Sequence, residues 1–249
     1  MICPALAEAL SHGDVACILA EPAMTNIGII HPDPGFLAAM SDLAARTGAL
    51  VVIDETHTLC AGPGGCTAAM NLHPDFVTVG KAIGAGVPGA AYGFSAKVAK
   101  ALESRIPVSD CDTGGIGGTL AGNSLSLAAM RATLERVLTP ESYRRTIPMA
   151  DRFRSGVESV IAEYALPWIV KQLGCRAEYW FRPGPPRNGG EAAAAVDVEL
   201  DRYMHLAALN RAILLTPFHN MALIAPSVTE EDIDRHTAVF RESVEALVG

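Results

Sequence analysis

Asp75-Phe76-Val77-Thr78-Val79-Gly80-Lys81 reads as a buried strand that ends in a lysine, and a loop of small residues, Ala82-Ile83-Gly84-Ala85-Gly86-Val87-Pro88-Gly89, follows it. Upstream, Ala49-Leu50-Val51-Val52-Ile53 has the composition of a second buried strand and ends in Asp54. Apolar runs of this length bounded by turn residues fit strands of a parallel sheet. In open α/β sheets, ligands bind at the carboxyl ends of the strands. Lys81 and Asp54 therefore fall where a ligand is expected.

The two side chains have complementary needs. A lysine in such a place can lose its proton and attack a carbonyl. A buried aspartate needs a cationic partner to offset the cost of burial. Pyridoxal phosphate meets both, with an aldehyde for the lysine and a pyridinium nitrogen for the aspartate. The alternative is a surface lysine after a strand and an aspartate that caps a helix.

The chain has 249 residues, half of them hydrophobic and 18% charged, enough for one large domain or two small ones with a real core. Its 19 basic and 27 acidic residues leave a net charge of -8, which argues against nucleic acid or an anionic membrane as the main partner. No apolar run reaches the roughly 18 residues that span a bilayer. The opening Met1-Ile2-Cys3-Pro4-Ala5 lacks the features of a secretory signal. Six cysteines lie scattered with no Cys-x-x-Cys pair, so neither a disulfide framework nor a metal site is expected, and reduced thiols in the cytoplasm fit better.

The first half alternates strands and helices, the mark of an α/β sheet with parallel crossovers. Ala16 to Ala20 is a strand, and Asp33-Pro34 reads as an N-cap and first turn of a helix with Phe36, Leu37, Met40, Leu43 and Ala44 on one face. Ala90 to Phe94 is a short strand before a helix from about Ser95. A helix from about Gly122 carries Leu127, Met130, Leu134 and Val137 on one stripe. Beyond Pro140 the pattern changes to a smaller α+β layer. It comprises a long helix, a strand over Ala192 to Val198, a helix over Tyr203 to Arg211 and a strand near Met221 to Ile224. A last helix follows the capping box Thr229-Glu230-Glu231-Asp232, with Ile233, Phe240, Val244 and Leu247 inward. The stretch Arg182 to Gly190 is an exposed loop. The expected division is a large domain over 1–140 and a small one over 141–249.

Gly114-Gly115-Ile116-Gly117-Gly118-Thr119-Leu120-Ala121-Gly122-Asn123 is a glycine-rich turn opening on a helix, with backbone N–H groups and a hydroxyl suited to phosphate. It matches neither the Walker pattern nor the dinucleotide fingerprint. Taken in order, Glu21-Pro22, Asp54-Glu55-Thr56-His57-Thr58, Thr78-Val79-Gly80-Lys81 and Gly118-Thr119-Leu120-Ala121-Gly122-Asn123 resemble the class III, fold-type I aminotransferases that use pyridoxal phosphate. The branch holding glutamate-1-semialdehyde aminomutase and the β-amino-acid transaminases is the nearest, and the resemblance covers nearly the whole chain.

That resemblance implies a role for each residue. Lys81 forms the Schiff base with the cofactor and later moves the substrate proton, and Asp54 keeps the pyridine nitrogen protonated. Thr56 stands where the family packs a valine or similar residue on the ring face. His57 and Glu21 lie near the ring hydroxyl, or else His57 is a loop histidine and Glu21 a structural residue. Thr119, with Gly118, binds the phosphate of the neighbouring subunit's cofactor, so a homodimer is required. Asn26 takes the place of a second glutamate found in the ornithine- and γ-aminobutyrate-type members. His219, in Leu214 to Met221, stands about where β-amino-acid transaminases have an arginine, and its candidate role is to contact a substrate carboxylate; the alternative is a satisfied surface histidine.

Family members also carry a long segment before the Glu-Pro strand, whereas 20 residues precede Glu21 here. The chain therefore resembles the C-terminal part of such an enzyme, the end of the large domain plus the small domain. An exposed strand edge, apolar surface and poor solubility are expected. Three functions follow: amino transfer between an amino acid or amine and a keto acid, intramolecular transfer of the aminomutase kind, or a non-catalytic remnant serving as a dimerisation module.

Overall fold

The computed structural model describes residues 4–104, 117, 118, 120–216 and 219–249. The chain clusters into two compact units. One comprises Met1–Pro22, Pro34–Leu59 and Gly64–Thr139; the other comprises Ala23–Asp33, Cys60–Pro63 and Pro140–Gly249. The chain thus changes unit at Thr139/Pro140, and two earlier segments belong with the second unit. No helix among the described residues is long and apolar enough to cross a membrane.

The first unit contains α1 (Pro4–Ser11), β1 (Cys17–Ala20), α2 (Phe36–Thr47), β2 (Leu50–Asp54), α3 (Gly65–Ala69), β3 (Phe76–Val79), β4 (Ala91–Phe94), α4 (Ala96–Glu103) and α5 (Ser124–Arg136). Its sheet runs β1-β2-β3-β4. The first three strands are parallel, and β4 is antiparallel to β3, with Val79 opposite Ala91 and Phe76 opposite Phe94. A mostly parallel α/β sheet is what the alternating pattern predicts. The antiparallel turn of β4 reflects its connection, a loop rather than a crossover helix.

One face of this sheet holds the core. Val51 and Ile53 on β2 meet Leu37, Met40, Leu43 and Ala44 of α2 and Leu10 of α1. Each of the larger of these side chains stabilises the fold by about 1.5–3 kcal/mol on burial. The other face carries the ladder Leu19, Val52, Phe76 and Phe94, in which Leu19 and Phe94 are exposed. The strands are therefore buried on one side only among the described residues.

One reading of the first half is corrected. The second helix starts at Phe36, because Gly35 takes φ 84 and breaks the helical path after Pro34. Asp33 caps nothing there and instead pairs with Arg187 at 2.9 Å. On α5 the leucine stripe faces out, with Leu127 and Leu134 each 50% exposed and Val137 exposed. Ser126 and Thr133 are buried in its place, because the Ser126 hydroxyl donates to the Pro88 carbonyl at 2.6 Å and turns that face toward the loop after Lys81.

The second unit contains α6 (Pro140–Glu163), β5 (Ile169–Leu173), β6 (Arg176–Trp180), α7 (Gly189–Ala194), α8 (Val198–Leu209), β7 (Met221–Leu223) and α9 (Glu230–Val248). An antiparallel sheet β5-β6-β7 packs against α6, which also crosses α9. The crossing is close at Gly156, where a Cβ would lie 2.3 Å from the Thr237 hydroxyl. Phe153, Val157 and Val160 of α6 and Phe240 and Val244 of α9 are fully buried, and Tyr179 meets Phe240 edge-on at 5.1 Å. The capping box at Thr229 and Asp232 forms as expected, while Leu247 sits in the last turn and is exposed.

Two further differences concern this unit. Ala192 to Val198 is not a strand. Asn188 caps α7 and Asp197 caps α8, and an alanine run between two good caps follows its helix propensity. Sequence periodicity also misses the β5–β6 hairpin, whose two-residue turn places Gly174 at φ 56.

His236 of α9 is buried between Phe153, at 4.4 Å between ring centres, and Phe240. Burial pushes its pKa down to about 4 from 6.5. The folded state thus refuses a proton that the unfolded chain accepts, so stability is full above about pH 6.5 and falls toward pH 4 by about 3 kcal/mol. Asp201 titrates in the opposite sense, so the comparison with a variant isolates His236. Urea unfolding at about pH 7 and about pH 5 is expected to show about 2 kcal/mol of this loss in the parent and little of it in His236→Leu.

Candidate active site

Because β1, β2 and β3 run parallel, their carboxyl ends share one edge of the sheet. Glu21 follows β1, Asp54 ends β2 and Lys81 follows β3 after the extended Gly80. Asp54 lies opposite Thr78 in the ladder, and the Glu55 amide donates to the Thr78 carbonyl at 2.8 Å. The edge is thereby fixed by backbone pairing before any side chain is considered.

The Asp54 Oδ1 atom accepts the Thr56 amide at 2.8 Å. Burial alone would push this carboxyl up. The hydroxyl and amide of Thr56, the hydroxyl of Thr78 and the charge of His57 outweigh it and hold the group below its ordinary value. Asp54 is therefore ionised at neutral pH. Lys81 occupies the left-handed region at φ 48, which costs a non-glycine residue about 1 kcal/mol, and its Nζ meets Nε2 of His57. Thr56 lies beside the backbone of Gly80. Lys81, Asp54, Thr56 and His57 are thus brought into one cluster.

Glu55 is the residue that sequence reasoning missed at this edge. It is only 2% exposed, and its carboxylate accepts four hydrogen bonds. Oε2 takes the Thr58 hydroxyl at 2.5 Å and the Cys66 amide at 3.1 Å; Oε1 takes the Thr67 amide at 2.5 Å and the Thr67 hydroxyl at 2.6 Å. Gly65, at φ 64, leaves room for it, since a Cβ there would lie 2.3 Å from Oε2. Burial, the Glu55 charge and an opposing Thr58 hydrogen bond together raise the Cys66 thiol pKa to about 12. The available signal was an acidic residue beside Asp54 followed by Gly64-Gly65-Cys66-Thr67, a turn rich in amide donors.

The other predicted residues are not seen in contact with this cluster. Thr119 lies outside the described residues, and Gly118 beside it is exposed. Glu21 is exposed. Asn26 and His219 belong to the second unit, where both line a cavity of about 160 Å³ with Glu178, Trp180, Asp201 and Asn220. His219 is half-buried and its Nδ1 lies 3.3 Å from Oε1 of Glu178, so it is neither a free surface histidine nor an isolated cation. Glu178 and Asp201 had no sequence signal, because the strand that carries Glu178 was not read.

Comparison with known proteins identifies the family of the chain. The family model for aminotransferase class III matches residues 3–240. A glutamate-1-semialdehyde 2,1-aminomutase of Sorangium cellulosum is 35% identical over 236 residues, covering 94% of this chain and 52% of the relative. A solved glutamate-1-semialdehyde aminomutase of Pseudomonas aeruginosa PAO1, a lysine-to-alanine variant in complex with PMP, matches with a TM-score of 0.94 and 43% identity. That match covers 98% of this chain and 55% of the other. The β-phenylalanine aminotransferase of Variovorax paradoxus matches with a TM-score of 0.85 and 28% identity over the same shares. The chain spans about half the length of the curated relatives it matches.

Removing the Glu55 carboxylate leaves buried donors of Thr58, Cys66 and Thr67 without an acceptor. Glu55→Ala is expected to lower stability by about 3–5 kcal/mol, and Glu55→Gln by about half as much. Urea unfolding measures this. A thiol titration of the folded variants is expected to show Cys66 reacting only where the loop has opened.

Proposed function

The chain belongs to the class III aminotransferases, and on that premise we propose that it supplies the catalytic lysine and the ring-binding aspartate of a pyridoxal phosphate enzyme. The reaction is transfer of an amino group between an amino acid or amine and a keto acid. The observation that carries this reading is the position of Asp54 and Lys81 after adjacent parallel strands at one sheet edge.

The fit to the cofactor rests on Asp54. It is ionised, and its partners among the described residues are Thr56, Thr78 and His57, none of them a permanent cation. A protonated pyridine nitrogen is the partner such a carboxylate calls for. When bound, pyridoxal phosphate supplies an aldehyde that takes up an amine and a ring that accepts the electron pair of the broken bond. Lys81 would hold the cofactor through Nζ, and the Lys81 amine, when free, would carry the proton at the substrate carbon. Asp54 would keep the ring nitrogen protonated. Thr56 would face the ring, and His57 and Glu21 its hydroxyl. Gly118 and Thr119 would hold the phosphate of a neighbouring subunit's cofactor, which makes a homodimer part of the proposal. The cytoplasm is the compartment proposed with it.

A second reading, intramolecular transfer of the aminomutase type, is favoured by the names of the 35% and 43% identical relatives. The two differ in whether an added keto acid is needed.

Purified protein mixed with pyridoxal phosphate is expected to develop a visible absorption band that borohydride fixes onto Lys81. Lys81→Ala is expected to lose both. Asp54→Asn is expected to keep the band and to lower turnover about a hundredfold. A parent protein that forms no band, indistinguishable from Lys81→Ala, would be the non-catalytic remnant and would overturn the proposal. Amino transfer that depends on an added keto acid distinguishes the transaminase from the mutase.

A further inference from the structure

The turn after β2 and the turn after β3 stand against each other at the sheet edge of the first unit, and each presents one basic side chain to the other. In the first turn, the Leu59 amide donates to the Glu55 carbonyl at 3.0 Å, and the four hydrogen bonds on the Glu55 carboxylate hold the backbone before and after His57. In the second, Lys81 leaves the strand at φ 48 after the extended Gly80, and the Thr56 side chain lies 3.8 Å from where a Gly80 Cβ would stand. Both starting points are thus set by the backbone. From them, Nζ of Lys81 meets Nε2 of His57 in a hydrogen bond. His57 is half-buried, and Lys81 is exposed.

This bond carries a constraint on charge. An ammonium group and an imidazolium ring have donors only, so two fully protonated partners cannot make it. Either Lys81 donates to the lone pair of a neutral ring, or a protonated ring donates to the lone pair of a neutral amine. Passing the shared proton to the ring leaves the amine with the lone pair that attack on a carbonyl requires. Imidazole is the side chain suited to exchange a proton near neutral pH. Asp54 completes the arrangement. It is ionised, and the charge of His57 is one of the influences that hold it so, which gives a ring that has gained a proton a carboxylate for company. A nucleophile, a base within hydrogen-bond reach and a third group that favours the charged base are the parts of an activated nucleophile.

We propose that His57 is a catalytic residue for Lys81, taking the proton that the lysine loses as it attacks an aldehyde and returning it to the departing oxygen. The step balances. Nζ gives a proton to Nε2, and its lone pair forms a bond to the aldehyde carbon while the carbonyl π pair moves to oxygen. The oxygen takes one proton from the nitrogen and one from the ring and leaves as water, and a carbon–nitrogen double bond remains. The positive charge that began on Nζ ends on that bond, and the ring is unchanged. This inference rests on reading Lys81 as the residue that takes up the aldehyde of pyridoxal phosphate, and it adds a role to His57 beyond facing the cofactor hydroxyl. The hydroxyl and the aldehyde of pyridoxal stand on neighbouring ring carbons, so one side chain can serve both.

The test uses the full chain and reads the rate of labelling rather than turnover. Parent, His57→Asn and His57→Ala are exposed to pyridoxal phosphate for timed intervals and quenched with borohydride. Peptide mass spectrometry then measures the adduct on Lys81 against that on Lys100 of α4, an internal standard in the same molecule. Lys81 is expected to outpace Lys100 in the parent. Each variant is expected to slow Lys81 about a hundredfold, with Lys100 and the final extent of labelling unchanged. Imidazole added to His57→Ala is expected to restore part of the rate, which a merely structural His57 would not allow. Equal Lys81 rates in parent and variants, a Lys81 no faster than Lys100, or a loss that imidazole leaves untouched would overturn the proposal. The outcome is separable from that of the proposed function. Rapid labelling that depends on His57, without amino transfer, refutes the amino-transfer reading and keeps this role; amino transfer with labelling indifferent to His57 does the reverse.

Discussion

The first unit depends on one buried carboxylate. Glu55 sits between Asp54 and Thr56, and its two oxygens gather four donors from Thr58, Cys66 and Thr67. A charge buried this deeply is stable only when its hydrogen bonds are complete, so the chain from Glu55 to Thr67 has little freedom to rearrange. The consequence reaches the site directly. Asp54 and Thr56 are the covalent neighbours of Glu55, and the Thr56 amide is the donor that Asp54 uses. A residue with no chemistry of its own thereby sets the geometry of those that have it.

Backbone pairing supplies the second constraint. Parallel strands bring their carboxyl ends to one edge whatever their side chains, which places Lys81 near Asp54 although the two are far apart in sequence. The antiparallel β4 pairs with β3, and the loop before it carries the Pro88 carbonyl that accepts from Ser126. That bond orients α5. It puts two small hydroxyl residues inward and leucines outward, the reverse of what hydrophobic periodicity alone prescribes.

How much was legible in the sequence follows from which forces were local. The strands before Asp54 and Lys81, the helix of Leu37 to Ala44 and the capping box at Thr229 depend on short-range pattern, and each is found. The cluster of Lys81 and Asp54 was legible because the rule for parallel sheets needs only strand direction. The features that were missed are set by partners distant in sequence. Ser126 answers to Pro88, and Glu178 answers to His219 across 41 residues. The alanine run at Ala192 differs for a local reason: its caps, Asn188 and Asp197, commit it to helix although its composition resembles a buried strand.

The two units treat buried charge differently. In the first, Glu55 is saturated with donors, so its charge serves the fold. In the second, Glu178 occupies the middle of a strand buried along its whole length, with one oxygen paired and the other not. A strand in that position gains more stability from apolar residues of similar volume than from an ion that is only half satisfied. Stability therefore gives no account of Glu178, whereas it fully accounts for Glu55.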